Sequence, residues 1–373
     1  MKFKISLLAL LLIVAPITQS FTVKKQKAKI QIALLLDTSN SMDGLINQAK
    51  SQLWKIVNEM AKSEVNKETP TLEIALYEYG NDGLSMREGY IRQVTTFTTD
   101  LDKISEKLFA LKTNGGSEFC GQVIDVSLKQ LDWSESDTDL KMIFIAGNEP
   151  FNQGEVDYRK SCQKAVNKDV TVNTIFCGNY NEGIRTFWKD GAILGNGKYM
   201  NIDSDKKEVY IASPYDKALT QLNKQLNDTY IAYGISGKKM KARQEIQDNN
   251  AKSMGQQAYL NRAVSKSSKM YSNSNWDLVD AYKDNPKIVD KLTDDQLPKE
   301  LKGKSKAEIK LFLDKKLKER ASIQEQIQIL NAKRAKFIKE KRKEMATDNS
   351  KALDDVMIDA VREQALKKNF IFK

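Results

Sequence analysis

The segment Ile30–Met42, IQIALLLDTSNSM, constrains the fold of this chain more than any other. Its apolar run is too short to span a membrane and is typical of a strand buried on both faces of a parallel sheet. The run ends in Asp37, Ser39 and Ser41, whose short side chains all carry oxygen. Open α/β sheets bind ligands at the carboxyl ends of their strands, and hard divalent cations prefer oxygen ligands. The segment therefore predicts a cation site, although Asp and Ser also simply cap helices.

Strand and helix patterns alternate along the next two hundred or so residues, which predicts an α/β fold with a doubly wound, mostly parallel six-stranded sheet. After the first strand, the strands are predicted at Thr71–Gly80, Tyr90–Phe97, Leu140–Ala146, Val170–Cys177 and Lys198–Ile202. Helices are predicted at Asp43–Lys62, Leu101–Leu111, Gly121–Leu131, Lys160–Asn167, Thr186–Leu194 and from Ser213 to Leu226. The connection between the second and third strands is short, so that pair is expected to be antiparallel.

Three blocks of sequence give the chain a specific resemblance. They are DTSNS at 37–41, GGS at 115–117 and IFIAGNEPF at 143–151. Over residues 28–235 the chain resembles a von Willebrand factor type A (vWA) domain, and the blocks YEYGND, TNGGSEFCG and FIAGNEPF are similar to a group of exported bacterial vWA proteins. The resemblance implies a doubly wound sheet with one antiparallel edge pair and a metal-ion-dependent adhesion site (MIDAS).

The resemblance also implies a set of metal ligands. Asp37, Ser39 and Ser41 match the first MIDAS loop, and Ser117 stands where the family has a threonine. The aspartate expected after the fourth strand is replaced by Gly147. One carboxylate offsets the desolvation of a divalent cation less well than two. Neighbouring side chains, Glu149 among them, are candidates to supply the missing charge, but an exposed Glu149 without a ligand role is the alternative.

A cation held by this degenerate MIDAS, Mg²⁺ or else Mn²⁺ or Ca²⁺, would keep open coordination positions. The resemblance implies that an acidic side chain of a protein partner enters one of them. The expected function is therefore protein binding through a divalent cation. No histidine occurs in the chain, which excludes His-based nucleophile pairs and His-ligated zinc, so an enzyme is not expected. A metal-assisted hydrolase using Asp37 with Glu118 or Glu149 is the least favoured alternative.

Residues 1–20 have the pattern of a secretory signal peptide, since Lys2 and Lys4 precede the apolar core Ile5–Val14. No cysteine closes that core, so a lipid anchor is not expected, and the protein is predicted to be exported to the periplasm or the exterior. An oxidising compartment favours a disulfide. Of the three cysteines, Cys177 ends an apolar strand, which leaves Cys120–Cys162 as the predicted pair.

The net charge of +11 is concentrated in the C-terminal part of the chain. From Lys238 to the end, Lys and Arg exceed Asp and Glu by about 12, while the preceding part is nearly neutral. Residues 238–275 are predicted to be a polar linker or helix. Residues 276–373 are predicted to be a basic helical region. This charge suggests an alternative function, a scaffold or assembly protein that binds through its basic helical tail and has a vestigial metal site.

The basic tail could hold an anionic envelope surface, whereas nucleic acid is not expected as the target of an exported protein. Alternatively, its Lys and Glu residues only solvate the helices. A capping box at Ser305–Glu308 opens a helix to about Met345, with an apolar stripe that includes Ile323 and Ile327. The stripe predicts that this helix needs a partner, in an intramolecular hairpin with the apolar island near Trp276 or a later helix, or in a coiled coil with another chain.

Overall fold

A computed structural model describes residues 27–42, 54–202, 210–345 and 353–372. Its main sheet has six strands in the order β4-β3-β1-β5-β6-β7. The strands of the chain are β1 (Lys29–Asp37), β2 (Ser63–Glu64), β3 (Thr71–Tyr79), β4 (Ile91–Thr98), β5 (Leu140–Gly147), β6 (Thr171–Cys177), β7 (Asn196–Ile202) and β8 (Ile371–Phe372). Only the β3–β4 pair of this sheet is antiparallel, and it lies at one edge. The predicted fold class is confirmed, including the antiparallel edge pair.

Helices cover both faces of this sheet and continue beyond it. They are α1 (54–60), α2 (Leu101–Ala110), α3 (Cys120–Gln130), α4 (Tyr158–Asn167), α5 (Tyr180–Arg185), α6 (Trp188–Leu194), α7 (Asp216–Asp228), α8 (Gly234–Ser253), α9 (Gln256–Lys266), α10 (Leu278–Asp284), α11 (Ile288–Lys291), α12 (Lys306–Met345) and α13 (Leu353–Lys367). Within the described ranges, none of them has both the length and the apolar composition needed to cross a membrane. The predicted signal peptide, residues 1–20, lies outside the described residues.

Alternate side chains of the central strands enter two separate cores. Along β1, Ile32 and Leu34 pack with α1, α2 and α7, whereas Ala33 and Leu35 pack on the opposite face with α3 and α4. Because β1 is buried on both faces, its apolar run is nearly continuous, as expected for a central parallel strand. The burial of this strand fixes the position at which Asp37 leaves the sheet.

The helices after residue 237 pack directly against the α/β body. Helix α8 lies against α2, α9 against α7, and α13 against β7, while β8 pairs with β2. Helix α12 packs on α7, α9, α10 and α11, and its Ile323 and Ile327 join the core that contains Leu219. The apolar island at Trp276 folds back on α12 through α10. The stripe on α12 is therefore covered by several helices of the same chain.

Buried ion pairs connect the C-terminal helices to the body. The Arg262 guanidinium donates to Asp102 of α2 at 2.9 Å and to Asp248 of α8 at 2.6 Å, and Arg262 is fully buried. Arg334 of α12 donates to Asp216 at the start of α7. Arg320 is likewise buried against Asp277. Several positive charges of the basic C-terminal part therefore have structural partners inside the molecule.

Candidate metal centre

Hydrogen bonds donated by its backbone N–H groups hold the turn after β1 in place. Asp37 pairs in register with Tyr79 at the ends of β1 and β3, and the Thr38 N–H donates to the Tyr79 carbonyl at 2.9 Å. The Ser39 N–H donates to Asp37 Oδ1 at 2.7 Å, which fixes that carboxyl group within the turn. A short 3₁₀ turn, Asn40–Met42, follows. Residues 43–53, where the next helix is predicted to begin, lie outside the described residues.

The oxygen atoms of this turn converge with the loop that follows β5. The Ser39 and Ser41 hydroxyl oxygens are 2.8 Å apart, and the Ser41 hydroxyl donates to Asn148 Oδ1 at 3.0 Å. Ser39 and Asp37 are buried, whereas Ser41 is exposed. The predicted trio therefore forms one cluster, with Asp37 at its base and Ser41 at its solvent-facing rim.

Ser117 lies in the loop that precedes α3, and this loop packs against the turn. The Asn114 N–H donates to the Thr38 carbonyl at 2.9 Å, and a Cβ added at Gly116 would clash with the Gly80 carbonyl. Such close packing requires glycine at 116. Ser117 is half-buried, between Gly116, which contacts the end of β3, and Glu118, which contacts Asp37. The loop is thus positioned at the same edge of the sheet as Asp37.

The contact between Asp37 and Glu118 is the most unusual feature of the site. Both carboxyl groups are buried, with 0% and 2% exposure, and they hydrogen-bond to each other. Apart from this contact, Asp37 Oδ2 and Glu118 Oε2 accept no hydrogen bond from the described residues. Buried oxygen atoms without a donor are uncommon in folded proteins and call for an explanation. Two such atoms in one cluster make it a candidate position for a cation.

Burial and mutual repulsion determine how this pair ionises. Burial, followed by the hydrogen bond and the charge of Asp37, raises the pKa of Glu118 to about 9. Burial also raises the pKa of Asp37, against a hydrogen bond from the Ser39 N–H that favours the ionised form. Two buried carboxylates in contact cannot both be charged without a cation. The pair therefore retains a proton at neutral pH in the absence of a cation.

Gly147 leaves no room for the aspartate that the vWA resemblance implies. A Cβ at this position would lie 2.5 Å from the Tyr79 hydroxyl oxygen and 3.1 Å from the Trp188 ring. The Tyr79 hydroxyl donates to the Ala146 carbonyl at 3.0 Å, so it is fixed in place. The sequence shows the glycine, but the aromatic side chains that fill the space come from β3 and α6, which are distant in the chain.

Glu149 stands beside this cluster, whereas Glu118 is part of it. The Glu149 side chain is half-buried, and its charge raises the pKa of both Asp37 and Glu118, although burial has a larger effect on both. Its carbonyl accepts a hydrogen bond from Trp188 Nε1 at 2.8 Å. Within the described ranges, no group of three or more Asp, Glu, Cys or His side chains is arranged to hold a metal ion. The candidate centre consists of two carboxyl groups and serine hydroxyls.

The predicted Cys120–Cys162 disulfide is wrong, because all three cysteines are free thiols. Cys120 begins α3 with its sulfur 3.7 Å from the Tyr79 hydroxyl, and Cys162 lies inside α4. Burial raises the pKa of the Cys162 thiol to about 12. The three side chains are buried and serve as small apolar packing groups, a common role for free cysteine. The sequence does not show that these cysteines pack as buried free thiols.

Comparisons with known proteins found likeness only among solved structures. No family model and no curated protein matches the sequence. The vWA domain of SpRpn10 is 15% identical, with a TM-score of 0.37, and the match covers 49% of this chain and 91% of that domain. The conserved hypothetical protein BatB from Bacteroides thetaiotaomicron is 14% identical, with a TM-score of 0.35, over 52% of this chain and 96% of BatB.

A third similar structure is proximal thread matrix protein 1 from the mussel byssus, which has a zinc-occupied MIDAS motif. It is 12% identical, with a TM-score of 0.35, and the match covers 48% of this chain and 43% of that protein. Identities and TM-scores this low give no information on what the present chain binds. Its function has to be inferred from its own residues.

Proposed function

We propose that this chain is an exported binding protein that engages an acidic side chain of a protein partner through a divalent cation. The observation that supports the proposal most strongly is the buried Asp37 carboxyl, which retains an oxygen without a hydrogen-bond donor beside two serine hydroxyls. These are hard oxygen donors, which suit Mg²⁺, Mn²⁺ or Ca²⁺. The proposed ligands are Asp37, Ser39, Ser41 and Ser117, and the charge of Glu149 lies nearby.

The residues around the turn would prepare the site before a cation arrives. The Ser39 N–H holds Asp37 in one orientation, and the paired strand ends hold the turn itself. Ser41 lies at the exposed rim, so a partner would approach from that side. When bound, the cation would offer a coordination position to the partner's carboxylate. The site contains no histidine, so we propose binding and not catalysis.

Carboxylate recognition can be tested with a labelled short peptide that contains a single glutamate. Fluorescence anisotropy of the full chain and this peptide should rise in the presence of Mn²⁺ and fall when EDTA is added. The same peptide with glutamine in place of glutamate is the matched control and should not bind. Binding that persists in EDTA, or that is equal for the two peptides, would contradict the proposal.

A second candidate function comes from the end of α12. Arg334 is the last buried residue of this helix, and no residue from 335 to 345 is buried. At 1.5 Å per residue, residues 335–345 form about 16 Å of the helix. It contains five Lys or Arg residues and two Glu residues, namely Lys336, Lys339, Lys341, Arg342, Lys343, Glu340 and Glu344. An exposed basic helix end supports attachment to an anionic envelope surface, as expected for a scaffold protein.

A further inference from the structure

We infer that Glu118 supplies the second carboxylate of the cation site, in place of a ligand at position 147. This inference rests on the proposed function and specifies which residues carry it out. A divalent cation held by one carboxylate and by hydroxyls is only half neutralised, and a second carboxylate increases affinity. The question is which acidic side chain of this chain is placed to provide it.

Position 147 is closed to any side chain. The Tyr79 hydroxyl and the Trp188 ring fill the space that a Cβ would need, and Tyr79 is tied to the Ala146 carbonyl. A ligand from the end of β5 could therefore come only from the residues that follow, Asn148 and Glu149. Asn148 is uncharged, so its side-chain oxygen, which accepts a hydrogen bond from Ser41, is not a second carboxylate.

Glu118 reaches Asp37 from the opposite side of the turn, and a glycine makes this approach possible. Gly80 has φ +75, and a Cβ there would lie 2.7 Å from Glu118 Cγ and 2.8 Å from Asp37 Oδ1. The absence of a side chain at 80 leaves the space in which the two carboxyl groups meet. The Glu118 N–H donates to Gln153 Oε1 at 2.8 Å, so the backbone of this residue is also fixed.

The hydrogen bonding of the pair is incomplete in a way that suits a cation. Apart from their contact with each other, Glu118 and Asp37 each have one buried oxygen that accepts no hydrogen bond from the described residues. The Ser39 N–H donates to Asp37 Oδ1, and the Ser39 hydroxyl oxygen lies 2.8 Å from that of Ser41, in the same cluster. A positive ion at this point would neutralise both carboxylates at once. Glu149, by comparison, makes no contact with Asp37 beyond its electric field.

The assignment is tested by counting bound Mn²⁺ from its electron paramagnetic resonance signal during titration of the full chain. The variants are Glu118→Gln, which keeps size but removes charge, its matched control Glu149→Gln, and Asp37→Asn. We expect Asp37→Asn to abolish binding, Glu118→Gln to weaken it at least about tenfold, and Glu149→Gln to change it less than about twofold. Circular dichroism and melting curves show whether each variant is folded.

The possible outcomes distinguish a wrong assignment of Glu118 from a wrong proposed function. If Glu118→Gln binds Mn²⁺ as the unmodified chain does while Asp37→Asn does not, the Glu118 assignment is overturned and the proposed function stands. If Glu149→Gln shows the large loss instead, the second carboxylate is Glu149. If the unmodified chain binds no Mn²⁺ at millimolar concentration, the proposed function and the assignment fail together.

Discussion

Tyr79 and Gly147 are complementary: the phenol oxygen of one lies 2.5 Å from the point where the other would carry a Cβ. The two residues end neighbouring parts of the sheet, on β3 and β5, on either side of Asp37. A tyrosine with its hydroxyl bound to the Ala146 carbonyl thus takes the place that an acidic ligand would need. The sheet end therefore has no room for the aspartate that the family resemblance implies at position 147.

This relationship predicts that restoring the family aspartate fails. Gly147→Asp and Gly147→Ala should each lower the free energy of unfolding by about 1–3 kcal/mol, because the new Cβ overpacks a rigid site. Gly147→Asp should not strengthen Mn²⁺ binding. Combining Gly147→Ala with Tyr79→Phe removes the clashing hydroxyl and should recover part of the stability. Denaturant unfolding measures all three variants, and a Gly147→Asp protein as stable as the unmodified chain would contradict the geometry.

The carboxyl pair predicts how the stability of the cation-free protein depends on pH. The pKa of Glu118 is raised from an ordinary value of 4.5 to about 9, so the folded state binds more protons than the unfolded state between these values. The contribution of Glu118 to stability should therefore be greatest below pH 4.5 and should decrease as the pH rises toward 9. Melting temperatures in EDTA across this range test the sign.

Glu118→Gln is the matched variant for that measurement, since it cannot ionise. Its stability should fall less between pH 5 and pH 9 than that of the unmodified chain. If the two proteins have parallel pH profiles, the raised pKa does not belong to this pair. Glu149→Gln serves as a control for loss of a nearby charge.

The C-terminal helices should be indispensable for folding. Arg262 lies fully buried between Asp102 and Asp248, so Arg262→Met removes the cation that pairs with Asp102 and one of the two that pair with Asp248, and should cost about 3–5 kcal/mol. Lys252→Met, at an exposed position on α8, is the control and should change stability by less than about 0.5 kcal/mol.

Truncation after residue 237 should give an unfolded or aggregated product. A fragment that ends there and melts cooperatively would contradict this prediction.

The basic end of α12 should bind anionic surfaces without contributing to stability. Changing Lys336, Lys339 and Lys343 to glutamine should alter the melting temperature little, because all three are exposed. Cosedimentation with vesicles that contain phosphatidylglycerol should fall, and should fall further with salt. The control changes Lys302, Lys304 and Lys315, which are also exposed, to glutamine. Equal vesicle binding by both triple variants would contradict the second candidate function.

The free thiols give a direct chemical prediction. Burial keeps Cys120, Cys162 and Cys177 protonated and out of reach of solvent, so a thiol reagent should not label the folded protein. After unfolding without reductant, three thiols per chain should react. A count of one reactive thiol would instead indicate a disulfide, as predicted from the sequence.

The sequence predicted those parts of the fold that depend on local patterns. The continuous apolar run of β1 and the alternation of strands and helices were sufficient for the sheet and its antiparallel edge. The predicted helix Thr186–Leu194 corresponds to α6, whereas α5, which comes just before it, was not predicted; Phe187 at φ 70 lies between the two helices. A left-handed conformation at phenylalanine is not readable from the sequence, because tertiary contacts stabilise it.

The site residues also fall into two groups, those that the local sequence identifies and those that tertiary packing brings together. Asp37, Ser39 and Ser41 are close in sequence and could be identified from it, whereas the contact of Glu118 with Asp37 arises from the packing of two loops on Gly80 and Gly116. The adjacent letters GGSE were a usable signal, since Glu118 follows the candidate ligand Ser117. The charge surplus after Lys238 suggested a separate tail, but buried ion pairs make it part of the folded body.

The most direct test of the account is calorimetric titration of Mg²⁺ into the full chain and into Asp37→Asn at the same pH. The account predicts a saturable heat with one site per chain for the unmodified protein, and no heat above dilution for the variant. Flat heats for both proteins at millimolar Mg²⁺, or equal binding by both, would contradict it.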